Sequence, residues 1–358
     1  MKREIPYPVN ALMSFHYFED YDLDRLPNLN IIGDSGAFSA KTQGATITLE
    51  GLSAWGRKWS HRLAWVAALD VIGDPDRTYR NWYEMVNRQG VKAVPTIHFG
   101  TDPTELDRYV DHGVDFVGLG GLVGVPTKRQ MRWLIQVFKY ARTNHPGMRF
   151  HGWGCTSIPH YDLPFYSVDS TSWTSSVRYG TMVLADPRTG KNVTYKLDGR
   201  EAFQPRIARL LTDYYGISPR DASYSNASNR PTIVRLASLS MAVKEARFRK
   251  RHGHITAPTW ITGKDGPHLH LAEGSSTNLG DLNAVAGPHL HLAESSQKGL
   301  LELDSNADGP HLHRATAYGN ADPQQLEDFT TDGPHPHLAS TSCTNLNDLN
   351  RQPSDVIE

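Results

Sequence analysis

The chain has 358 residues, with 37 Lys/Arg against 38 Asp/Glu and 17 His, and its formal net charge of −1 points by itself to no partner. Charges and prolines in Met1 to Asn10, and the lack of any run of about 18 apolar residues, argue against a signal peptide or a membrane span, so the expectation is a cytoplasmic protein with no membrane partner. Two distant cysteines, Cys155 and Cys343, exclude a disulfide framework and a Cys-rich zinc site.

In chain order, the first strand candidate is LMSFHYF near Leu12, followed by NIIGDSG, LAWVAALD, VKAVPTIHF, VDFVGLGG, MRFHGWG and PFYSVD. Between them lie helical patterns. PDRTYRNWYEMVNRQG opens on Asp74 and Pro75 at cap and first-turn positions, TDPTELDRYVDHG ends on a glycine, and PTKRQMRWLIQVFKYARTNH puts Met131, Leu134, Ile135 and Phe138 on one face. Continuous apolar strands separated by helices predict a parallel sheet buried on both faces. With RYGTMVLA or later residues as the last strand the count approaches eight, which predicts an α/β fold of the (β/α)8 TIM-like barrel type over residues 1–254.

REAFQPRIARLLTDYY and RPTIVRLASLSMAVKEARFRKRHG form a C-terminal helical extension. The second helix ends on Lys244, Arg247, Arg249, Lys250 and Arg251, which either complement the helix dipole or form a ridge for a nucleic-acid backbone. The first 250 residues hold 32 Lys/Arg against 24 Asp/Glu, whereas the last 108 hold 5 against 14, so the predicted folded part is basic. From about Ile255 the composition turns to Gly, Pro, Ser, Thr, Asn and Asp, and GPHLHLAE begins at Gly266 and Gly287, with variants at Gly309 and Gly333. Residues 255–358 therefore read as a low-complexity, His-containing repeat tail, disordered or loosely repetitive. Paired histidines such as His268 and His270 can bind zinc, nickel or copper, but the Gly-Pro openings favour a tail without metal.

In a βα barrel the chemistry sits where strands end. There NIIGD places Asp34 and Ser35, LAWVAALD places Asp70, AVPTIHF places His98, FVGLGGL a glycine pair, RFHGWG places His151 and Trp153, and FYSVD places Asp169. Each aspartate alone reads as a turn or cap residue; three at one barrel mouth would repel unless used. His151 and Trp153 either line the pocket or pack beneath it.

DSGAFS at 34–39, LD at 69–70, VGLGGLVG at 117–124, HGWG at 151–154 and VDSTS at 168–172, in this order on successive strands, resemble the tRNA-guanine transglycosylase family. The resemblance implies base exchange: a carboxylate attacks C1′ of a guanosine nucleotide, guanine leaves, and a 7-deazaguanine takes its place. It casts Asp169 as nucleophile, Asp34 as general acid and base, Asp70 as receptor for the base, and Gly120, Gly121 and Leu122 as backbone contacts, with Ser35, His98, His151 and Trp153 around the base. The only co-substrate implied is the deazaguanine, with no metal or other cofactor.

The family's Cys-rich zinc subdomain is missing, a histidine stands where the family has Gln on the fourth strand, and Ala37 replaces a glycine. These departures resemble the shorter phage-encoded relatives that modify DNA, so DNA is the expected partner ahead of tRNA, and the chain is compatible with a homo-oligomer. Two other readings remain open: a base-binding barrel without turnover, and a barrel hydrolase or lyase using a metal on His98 and His151.

Overall fold

The computed structural model describes residues 9–37, 44, 46–223, 229–259, 261 and 264–273. The core of the fold is a parallel sheet built from β1 (Val9–Ser14), β2 (Leu29–Asp34), β3 (Leu63–Ala67), β4 (Ala93–Val94), β5 (Thr96–His98), β6 (Phe116–Gly120), β7 (Arg149–Gly152), β8 (Ser167–Ser170) and β11 (His268–Glu273), in the order β4-β3-β2-β1-β11-β8-β7-β6-β5. The two edge strands β4 and β5 are separated only by Pro95, which lacks the N–H that would continue the ladder. β4 pairs with β3 and β5 with β6, so the ring runs through Pro95 and makes eight strand positions in sequence order, a barrel-like α/β fold of the TIM type.

Helices cover the outside. Helix α1 (Leu49–Lys58) starts at Thr48, whose side chain accepts from the Gly51 N–H, and α2 (Pro75–Tyr83) starts at Asp74, which accepts from Arg77 N with Pro75 in the first turn. Helix α3 (Thr127–Asn144) buries Trp133, Leu134, Val137 and Ala141 against the sheet. α4 (Arg230–His252) is the crossover into β11. Among the described residues no helix is long and apolar enough to cross a membrane.

Two hydrophobic layers result. One lies between sheet and helices. The other fills the barrel, where Leu12, Ile32, Trp65, Val94, Phe116 and Tyr166 meet. Trp65 on β3 packs edge-on against Phe116 on β6, with ring centroids 5.4 Å apart, although these strands are not neighbours in the sheet; only a closed ring brings them together.

Three expectations are corrected. Of the two alternatives for the last barrel strand, later residues supply it and RYGTMVLA does not: β9 (Thr181–Ala185) forms a separate antiparallel hairpin with β10 (Asn192–Lys196). The long basic helix is not an extension after the barrel but the connection between its seventh and eighth strands, with residues 171–229 inserted before it. The boundary after residue 254 also fails, because the first GPHLHLAE copy supplies β11, hydrogen-bonded between β1 and β8. Its alternation explains this. Leu269 and Leu271 join the outer core, while His268 and His270 turn inward among Asn10, His151 and Asp169. A polar barrel interior lets a His-x-His segment serve as a core strand. The copies beginning at Gly287, Gly309 and Gly333 lie outside the described residues.

Candidate active site

Asp34 closes β2, and the turn after it bends back through Gly36 at φ +71°, where a Cβ would meet the Ser14 hydroxyl at 2.2 Å. The Gly36 N–H donates to Asp34 Oδ2 at 2.9 Å. Burial, with Asp70 and then Asp169 as neighbouring charges, raises the Asp34 carboxyl to about 7 against the hydrogen bonds from Gly36 and Ser35. The three acids therefore share one electrostatic site. Ser35 itself is buried, and its hydroxyl accepts from Ala37 N at 3.3 Å, a turn-closing role rather than a contact to a base.

Asp70 follows β3, and its Oδ2 lies 2.6 Å from Nε2 of His98, the last residue of β5. That pair fixes the orientation of the Asp70 carboxylate and commits His98 to it.

Asp169 rises from β8 with its Oδ1 accepting the Gly154 N–H at 2.8 Å. His151 sits behind it with no exposed surface, its Nε2 3.3 Å from the same Oδ1 without a hydrogen bond between them. Burial lowers the His151 proton affinity, opposed by the nearby carboxylate. His151 thus backs an acid instead of lining a base pocket, a correction to the sequence reading.

Trp153 forms part of the floor. Its indole packs 4.2 Å from His151 and 6.0 Å from Trp65, ring centroid to centroid, and its Nε1 donates to Thr96 Oγ1 at 3.1 Å. The glycines of β6 exist for this ring. A Cβ on Gly118 would come within 2.4 Å of Trp153 Nε1, and one on Gly120 within 3.0 Å of Cδ1. Of the backbone groups expected to meet a base, two carbonyls accept hydrogen bonds within the fold: Gly120 O from Phe99 N at 2.8 Å, and Leu122 O from Gln130 Nε2 at 3.0 Å and from Val125 N at 3.1 Å. Gly121 takes φ +68° and packs on His98. Leu122 is buried.

The basic helix end lies elsewhere. Arg249 reaches Glu245 at 3.1 Å and His268 Nδ1 at 2.9 Å, where β11 begins, at the end of the barrel away from the acids. Lys244 is buried and its ammonium is held down to about 8 by desolvation, Arg247 lies against Gly190 of the hairpin turn, and Arg251 pairs with Asp162. Only Lys250 and Arg251 at the very end, with Arg247, are exposed, so these five residues form no ridge beside the mouth.

Sequence reasoning missed Ser167, which touches His151, and placed His268 and His270 in a tail, whereas His270 stands 6.1 Å from His151, ring centroid to centroid. Ser167 was legible in principle, because it stands two residues before Asp169 on the same strand and so shares its face. Among the described residues no group of three or more His, Cys, Asp or Glu could hold a metal ion, and His98 is engaged by Asp70. Searches with the chain matched no protein family model, no curated protein and no solved structure.

Proposed function

We propose that the protein exchanges guanine in a nucleic acid, with DNA as the favoured polymer, for a 7-deazaguanine base of the preQ0 type. The observation that supports the reading is the placement of three acids at or just past strand ends, with Asp34 raised to about 7 by burial and by its neighbours Asp70 and Asp169. A carboxyl poised near neutrality can give a proton to a leaving base and take one from an incoming base.

In the proposed sequence, Asp169 Oδ2 attacks C1′ while the C1′–N9 electron pair leaves with guanine, which receives the Asp34 proton. The Asp34 carboxylate then takes the N9 proton of the deazaguanine, whose nitrogen attacks C1′ and releases Asp169. Asp70, aimed by His98, accepts from the amino and imino edge of the base, and the partly exposed face of Trp153 offers a stacking surface. A base taken from a duplex must first leave its stack, at a cost of a few kcal/mol.

The test is incubation with duplex DNA carrying labelled guanine and with preQ0. Release of label dependent on preQ0 is the expected result. Release from tRNA alone would move the polymer, and no release from either by folded protein would refute the exchange.

A further inference from the structure

Behind the acid triad lies a second chain of polar groups. The Ser167 hydroxyl is 2.8 Å from Nδ1 of His151, and both residues are without exposed surface. On the other side of the ring, Nε2 is 3.3 Å from Asp169 Oδ1. Strand register makes the arrangement, because His151 on β7 stands opposite Ser167 on β8, and Asp169 follows two residues later on the same face.

The direction of the hydrogens follows from the partners. A neutral imidazole carries one N–H. Were it on Nδ1, the lone pair of Nε2 would face a carboxylate oxygen. With it on Nε2, the Ser167 O–H donates to Nδ1, Nε2–H points at Asp169, and each contact is attractive. The groups around the ring favour the neutral form: Trp65 and Trp153 pack edge-on at 5.2 and 4.2 Å, and the His270 ring stands 6.1 Å away on β11. Apart from Asp169, the titratable neighbour His270 is itself a buried imidazole, for which a proton on His151 would be repulsive.

Neutrality matters to the chemistry. An imidazolium against Asp169 would form an ion pair and blunt a nucleophile, whereas a neutral N–H restrains one oxygen with little loss of charge. Together with the Gly154 N–H at 2.8 Å, it would hold Oδ1 and leave Oδ2 restrained by neither donor. At 3.3 Å the Nε2–Oδ1 contact makes no hydrogen bond in the structure, so the restraint requires the ring and the carboxylate to draw closer.

We propose that Ser167 and His151 are positioning residues that fix the rotamer of Asp169 through a neutral, Nε2-protonated imidazole. This rests on the reading of Asp169 as nucleophile, but its first test does not. In 15N-labelled full-length protein, long-range 1H–15N spectra should show His151 as the Nε2–H tautomer at pH 7.5, and Ser167→Ala should mix or reverse the tautomers. A proton on Nδ1, or a tautomer indifferent to Ser167→Ala, overturns the proposal whether or not exchange is observed. In the labelled-guanine assay with preQ0, Ser167→Ala should lower kcat about tenfold with KM within about twofold. His151→Gln, which keeps an N–H at similar reach, should retain several-fold more turnover than His151→Leu. Equal turnover in these two folded variants would also overturn it, and absence of exchange in the unmodified protein would refute the proposed reaction while leaving the tautomer measurement decisive.

Discussion

The two ends of the barrel use the same residue types to opposite effect. Where the strands begin, Asn30 Nδ2 donates to Asn10 Oδ1 at 2.8 Å, Asn10 Nδ2 to Glu245 Oε2 at 3.1 Å, and Leu269 N to the same Oε2 at 2.9 Å. Arg249 bridges Glu245 and His268, and His268 Nε2 reaches Lys264 O at 2.8 Å. Every member has a partner of complementary sign. Where the strands end, Asp70 and Asp169 lie near enough to Asp34 for their charges, with burial, to drive its carboxyl far from its ordinary proton affinity. The first network stabilises the fold; the second holds charge that costs stability, and the proposed exchange is what would use it.

The widest separation between the ends should come from Asp169→Asn. The change keeps shape and removes nucleophilic charge, so exchange should fall on the order of 10³-fold or more with the melting temperature nearly unchanged. Loss of folding together with activity would place Asp169 with the structural network instead. Its counterpart is Glu245→Ala, which strips a carboxylate from Asn10, Leu269 N and Arg249 at once. Urea unfolding should show a loss of about 2–3 kcal/mol, with turnover per folded molecule preserved.

Asp34→Asn sharpens the contrast, because it should make the protein more stable and less active together. A carboxyl whose affinity is raised in the folded state binds its proton more tightly there than in the unfolded chain. Stability from this group is therefore full below about pH 4 and lost as pH rises through about 7. Removing the charge should return about 1–2 kcal/mol at pH 8, less than the full shift would give because Asp34 keeps some contact with solvent. Buried imidazoles work in the other direction. His151, His268 and His270 are lowered by burial, and His160, hydrogen-bonded to Gln130, is pushed down to about 4. The unfolded chain takes up those protons first, near 6.5, so their stabilisation is complete above that pH and is lost as pH falls toward about 4. Turnover that needs a protonated Asp34 should decline above about pH 7, while thermal stability declines below about 6.5. Both limbs can be read from one pH series of rates and melting temperatures.

How much of this was legible depended on which layer a residue serves. Seven strand positions announce themselves as apolar runs, five of them ending in an acid or a glycine. The eighth did not, since His268 and His270 occupy an interior already polar, and Gly-Pro-rich surroundings in a repeated motif read as tail. The acids were found from strand-end logic. The roles of Gly118, Gly120 and Leu122 were not, because a glycine makes room equally for a ligand or for an indole, and only the placement of Trp153 decides which. His151 could be placed near the mouth from sequence, but its position behind Asp169 needs the barrel's layering.

The smallest expected effect concerns the basic helix end, where sequence offered two readings. Arg251 Nη2 lies 2.8 Å from Asp162 Oδ1, but both side chains are more than half exposed, at 57% and 51%. Such a pair is screened by water and salt and must immobilise two long side chains, so Arg251→Ala should cost less than about 0.5 kcal/mol. If this end served a nucleic-acid backbone, loss of a contacting Arg would also lower the salt slope of DNA binding by about one. The helix end adjoins the start of β11 rather than the acid triad, so the combined Lys250→Ala and Arg251→Ala variant should bind duplex DNA with an unchanged salt slope. A slope reduced by one or more would mean that DNA wraps past the mouth to the far end of the barrel, and the division between a structural end and a reacting end would have to be redrawn.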